Sequence, residues 1–197
     1  IGLREGDELV NVMSTEGDET IIIGTHDGYS VTFKEAVVRD MGRTASGVRG
    51  IRLRDEDYVI GSAVLKENQE VLVITEKGYG KRTKASEYPV KGRGGKGIKT
   101  ANVKEKNGPL AGLTTVTGDE DILLITDKGV IIRFNAGSVS QTGRATLGVR
   151  LMKMEGNTKV VTMAIVGKED EEVEETEAVE AAETTEITEE AQNDTEE

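Results

Sequence analysis

Lys91, Arg93, Lys96 and Lys99 stand in the stretch KGRGGKGIK, where every other residue except Ile98 is glycine and no acid intervenes. Cations among glycines suit phosphate, because a backbone without side chains approaches closely and offers N–H donors beside the charge. The frame recurs. Gly42-Arg43 with Gly47-Val48-Arg49, Gly92-Arg93 with Gly97-Ile98-Lys99, and Gly143-Arg144 with Gly148-Val149-Arg150 align at offsets of 50 and 51 residues. Equivalent units would repeat Arg43, Arg93 and Arg144, and then Arg49, Lys99 and Arg150, along one rim. Such a track fits a long polyanion, since each neutralised phosphate releases counterions and adds affinity without reading a base. Lys34, Arg39, Lys81, Arg82, Lys84, Lys91, Lys96 and Arg133 are expected to thicken it. The alternative is that each unit needs the same tight corner and that its cations are merely solvated. Three occurrences in register favour the phosphate reading.

Other chemistry is poorly supported. Gly92-x-Gly94-x-x-Gly97 has the spacing of a dinucleotide fingerprint, but it follows Pro89 and leads into a strand, not a helix. A Walker loop would need Lys after its last glycine, and Ile98 stands there. His26, the only histidine, falls in a turn and reads as a surface residue. Tyr29, Tyr58, Tyr79 and Tyr88 suit packing, and Asp55-Glu56-Asp57 suits a turn. No catalytic residue, metal site or cofactor is therefore expected in this chain.

The elements that must position the frames follow from hydrophobic pattern. Units at 21–70, 71–120 and 122–168 each open on a short apolar run: Ile21-Ile22-Ile23, Val71-Leu72-Val73-Ile74, or Ile122-Leu123-Leu124-Ile125. These β-branched runs are strand-like and too short for helices. A turn ending in Gly28, Gly78 or Gly129 reverses each into a hairpin, the glycine taking positive φ at little cost. The frame loop follows, and two further strands are expected to complete each unit, for example 97–103 and 110–116. Four short strands in about 50 residues, repeated, predict an all-β, propeller-like stack of about three and a half blades. Residues 1–20 read as a part-blade, because Ile1 to Glu19 aligns with the later half of the first full unit.

Residues 169–197 hold 15 of the 37 acidic residues and no Lys or Arg, leaving 22 acids against 25 basic side chains upstream. The formal net charge of −12 therefore hides a weakly basic body. This tail is expected to be disordered, and a run of like charge can compete for a basic surface. The lack of cysteine fits a reducing compartment, and no apolar run is long enough to span a bilayer. The start at Ile1, inside a repeat, reads as the C-terminal part of a longer protein.

The GRxxxGV(R) frame of Gly42–Arg49 and Gly143–Arg150, with its hairpin turns and its period, resembles the C-terminal domain of bacterial DNA gyrase A over residues 1–168. The resemblance implies a six-bladed β-pinwheel whose basic rim binds and wraps double-stranded DNA. It also implies a parent type II topoisomerase, an A2B2 heterotetramer with gyrase B, and a bacterial cytoplasmic, nucleoid-associated location. ATP and Mg2+ would be bound mainly by other domains or by gyrase B. The family's signature box, written QRRGGKG, belongs to the first blade, so Lys91–Gly97 carries over only general rim contact, at Arg93 and Lys96. Two rivals stand beside this reading. The A subunit of topoisomerase IV carries a more degenerate form of the repeat. A protein-binding propeller would favour aromatic hot spots, which an aromatic content of 3% does not supply.

Overall fold

The computed structural model of the protein describes residues 2–167. They form an all-β array of three antiparallel sheets. The first sheet is built on the hairpin of β1 (Thr20–Thr25) and β2 (Tyr29–Lys34), joined by β3 (Val59–Val64). The second repeats it with β4 (Glu70–Thr75), β5 (Tyr79–Lys84) and β7 (Leu110–Val116). The third comprises β8 (Asp121–Thr126), β9 (Ile131–Asn135) and β11 (Val160–Val166). Single-turn 3-10 helices at Glu35–Val37, Ala85–Glu87 and Ala136–Ser138 follow each hairpin. Among the described residues no helix is long and apolar enough to cross a membrane.

The hairpins close as their sequences dictate. Gly28, Gly78 and Gly129 have φ of 84°, 73° and 75°. A threonine at the head of each turn accepts a bond from a backbone N–H at or just before the start of the return strand: Thr25 from Tyr29 at 3.4 Å, Thr75 from Tyr79 at 3.2 Å, and Thr126 from Val130 at 3.1 Å. These bonds give the chain an alternative to continuing the ladder, so the reversal is local and strong.

The strand after each frame departs from expectation. None forms after the first frame, and after the second and third it shortens to β6 (Ile98–Lys99) and β10 (Val149–Arg150), neither of which pairs within its own unit. β6 crosses back to β2, with Tyr29 opposite Lys99 and Ser30 opposite Ile98. β10 crosses to β5, with Gly80 opposite Val149 and Tyr79 opposite Arg150. Each of the first two sheets therefore takes its fourth strand from the following repeat, while the third has three strands. Residues 9–14, which align with β3, form no strand. A strand needs a ladder partner, and instead Asn11 rests on β3 through a 2.7 Å bond from Nδ2 to the Ser62 carbonyl.

Burial explains the unbroken apolar run at the centre. Val71 and Val73 of β4 pack towards the first sheet with Ile22, Leu110 and Leu113. Leu72 and Ile74, on the other face, pack with Ile122, Leu124 and Val160 of the third. A strand covered on both faces has no solvent side to mark with polar residues, so alternation disappears. Glycines let the sheets approach: a Cβ on Gly24 would lie 2.6 Å from Leu113 Cδ1.

Candidate nucleic-acid interface

The glycines of each frame serve the strand exchange. Gly97 has φ of 73°, and a Cβ there would lie 2.6 Å from the Ser30 carbonyl oxygen. Gly148, at φ of 81°, would meet the Gly80 carbonyl at 2.7 Å. At both positions the frame is pressed onto the preceding hairpin, so the tight-corner reading holds for these glycines. It does not displace the cations. Lys91, Arg93, Lys96 and Lys99 of the second frame, Arg43 and Arg49 of the first, and Arg150 of the third are all accessible, as are Arg39, Lys34 and Lys84.

The frames are joined end to end. Arg93 donates from Nε to the Val37 carbonyl and from Nη1 to the Arg49 carbonyl, each at 3.2 Å. Arg144 repeats this one unit on, with Nε on the Glu87 carbonyl at 3.0 Å and Nη1 on the Lys99 carbonyl. Arg93 and Arg144 thus each hold the backbone of the second cation in the frame before their own. Main-chain bonds from Gly94 to Gly50, from Arg52 to Gly95 and from Asn102 to Thr146 complete the junctions. These bonds link the first frame to the second and the second to the third, with the cations of all three on the connected loops.

Three of the expected rim residues have other tasks. Lys81 is 1% exposed. Its ammonium turns inward to the carbonyls of Gly143 and Arg144 and to Thr146 Oγ1, and burial pulls its pKa down to about 8. It is a staple for the third frame and not a phosphate contact. Its counterparts across the equivalent strand pairs, Val31 and Ile132, are apolar, which was the available signal. Arg82 is mostly buried: it pairs with Glu70 and donates from Nε to the Val139 carbonyl at 2.8 Å and from Nη2 to the Gly137 carbonyl at 3.0 Å. Arg133, though exposed, is engaged by Asp121 at 2.8 Å. One contributor escaped the sequence reading. Arg54 lies 3.3 Å over the Tyr29 ring and donates to the Lys96 carbonyl at 2.9 Å, which fixes the backbone of an exposed rim lysine.

A family model described as DNA gyrase C-terminal domain, beta-propeller, matches residues 19–66, 69–117 and 120–167. The DNA gyrase A subunit of Staphylococcus epidermidis is 50% identical over 173 residues, 87% of this chain and 19% of that protein. That of Staphylococcus aureus is 50% identical over 174 residues, covering 87% and 20%. The chain thus spans about a fifth of the length of the curated relatives it matches. Among solved structures, the C-terminal domain of DNA topoisomerase IV superposes with a TM-score of 0.81 at 26% identity, over 92% of this chain and 57% of that one. The DNA gyrase A C-terminal domain superposes with a TM-score of 0.70 at 29% identity, over 75% and 50%.

Proposed function

The chain belongs to the DNA gyrase C-terminal domain family, a β-pinwheel of propeller-like blades, and on that premise we propose that it is the DNA-wrapping module of a gyrase A protein. Duplex DNA lies along the row of frames, with phosphates met by Arg43, Arg49, Lys91, Lys96, Lys99 and Arg150 and by the outer edges of Arg93 and Arg144. The observation that carries this reading is the pair of arginine clamps, Arg93 on the Arg49 carbonyl and Arg144 on the Lys99 carbonyl, which tie the three frames together. Binding is electrostatic and largely independent of base sequence. Bending a site of a few tens of base pairs costs about 1–6 kcal/mol, which phosphate contacts spread over several blades can offset.

The parent protein is proposed to be the DNA-cleaving component of an ATP-dependent type II topoisomerase that introduces negative supercoils. It assembles with gyrase B into an A2B2 heterotetramer in the bacterial cytoplasm, with ATP and Mg2+ held outside this chain. The chain's own part is to bind and orient DNA. The superposition on topoisomerase IV favours a second reading, in which the same rim binds DNA for decatenation. A supercoiling assay on the parent enzyme separates the two, since only gyrase drives relaxed circles to negative superhelicity.

The direct test changes Lys91, Lys96 and Lys99 together to Gln, because all three are accessible and only backbone atoms of theirs support the fold. The slope of log affinity against log salt is expected to become shallower by roughly 0.9 for each phosphate no longer neutralised. An unchanged slope in a folded variant refutes the rim assignment.

A further inference from the structure

His26, Asp27 and Asp57 place one ligand-capable atom each within 4.8 Å of one another. Sequence spacing conceals the group, since the turn between β1 and β2 supplies two members and the turn before β3 the third. The geometry points to a divalent transition-metal site here, of the Zn2+ class, which would pin these turns together.

Asp57 is 7% exposed, and its two oxygens differ in their bonding. Oδ1 accepts the N–H groups of Asp27 and Tyr58, each at 3.0 Å. Oδ2 is buried and has no partner. The second repeat shows how such a position is satisfied without charge. There Asn107, closing the same kind of turn, accepts from Lys104 N at 2.8 Å through Oδ1 and donates through Nδ2 to the carbonyls of Asn102 and Leu147. An acid in place of that amide leaves a buried carboxylate oxygen that calls for a hydrogen-bond donor, a proton or a cation.

The neighbours bias the choice towards a metal. His26 Nδ1 lies 3.6 Å from Asp27 Oδ1. Two tetrahedral Zn2+ ligands at about 2.1 Å stand roughly 3.4 Å apart, so this pair already has nearly the required spacing. His26 Nε2 lies 3.6 Å from Glu76 Oε1, placing a carboxylate behind the ring where metal-bound histidines commonly direct their second N–H. The ring stacks on Tyr58 with centroids 4.4 Å apart. The main chain of His26 is fixed on both sides, its N–H on the Tyr58 carbonyl and its carbonyl on Leu110 N, each at 2.9 Å. Glu76 is in turn paired with the Lys159 ammonium at 2.7 Å. Asp27 is 45% exposed, which leaves an approach from solvent and room for a water ligand. One nitrogen with two carboxylate oxygens suits a borderline ion such as Zn2+ and not Mg2+, which prefers an all-oxygen octahedron.

The sole histidine makes the test selective, because the imidazole signals in a long-range 1H–15N spectrum come from one residue and ignore carboxylates elsewhere. Addition of ZnCl2 to the whole chain is expected to shift these signals saturably, with an end point at one equivalent, while excess MgCl2 leaves them in place. Asp57→Asn keeps the Oδ1 acceptor and removes the charge, and is expected to weaken Zn2+ binding by about tenfold or more. Asp27→Asn, at a more exposed position, is expected to do the same and serves where the first variant fails to fold. An imidazole unmoved by excess ZnCl2, or a response unaltered in a folded Asp57→Asn or Asp27→Asn variant, overturns the site.

Discussion

Replacing Gly97 by Ala tests whether the frame is held by the strand exchange that organises the array. Gly97 has φ of 73°, a conformation that costs an L-residue roughly 1–2 kcal/mol. Its new Cβ would also lie 2.6 Å from the Ser30 carbonyl oxygen, part of a β-ladder that cannot move without disturbing β1. Forcing an extra methyl into such a contact costs about 1–3 kcal/mol more. The sum, about 2–5 kcal/mol, is a large share of the stability of a small domain. With a urea m-value of about 2 kcal/mol/M, the unfolding midpoint should fall by roughly 1–2.5 M. Gly92→Ala is the internal control. It lies in the same loop, has no positive φ and has open space where its Cβ would go, so a change within about 0.5 kcal/mol is expected. Because Gly97 seats Ile98–Lys99 on β2, DNA affinity should fall with stability in Gly97→Ala and in neither respect in Gly92→Ala. Equal urea midpoints for the two variants would refute the claim that close approach to Ser30 dictates this glycine.

Arg144→Lys retains the charge but loses the forked bonds to the Glu87 and Lys99 carbonyls; stability should drop by about 1–3 kcal/mol in urea while the salt slope of DNA binding stays the same. Lys81, with a pKa of about 8 when folded and 10.5 when free, binds its proton more readily in the unfolded chain between these values. Its contribution to stability should therefore rise with pH across that window and be lost as pH falls through 8, seen as a difference between the wild-type and Lys81→Met melting curves. Leu72→Ala, at a fully buried position facing the third sheet, should cost about 2–5 kcal/mol in chemical unfolding. Removal of 169–197 takes away 15 acids and changes the formal net charge from −12 to +3, so DNA affinity measured at low salt should rise and the gain should shrink as salt is added.

The repeat, the hairpins and the cationic frames were legible in the amino-acid sequence because they rest on local physics. Apolar β-branched runs such as Val71–Ile74 extend, glycines such as Gly28 and Gly78 reverse the chain, and matching offsets reveal equivalent units. The acidic tail was legible as composition, and its residues lie outside those the structure describes. What the sequence could not assign was the partner of each short strand and the direction of each long side chain. β6 is two residues long and joins a strand about 70 positions upstream, a pairing selected by the Gly97–Ser30 approach and the burial of Ile51 and Ile98 and not by any local pattern. Lys81 and Lys91 look alike as basic residues flanking a loop, yet one ends among three oxygen acceptors and the other in solvent. His26, Asp27 and Asp57 meet only because two turns of one sheet fold to the same end. Local propensity therefore determined which elements form and which charges they carry. Tertiary packing alone decided which of those charges reach the surface, because long-range burial selects a side chain's environment after the strand that carries it already exists.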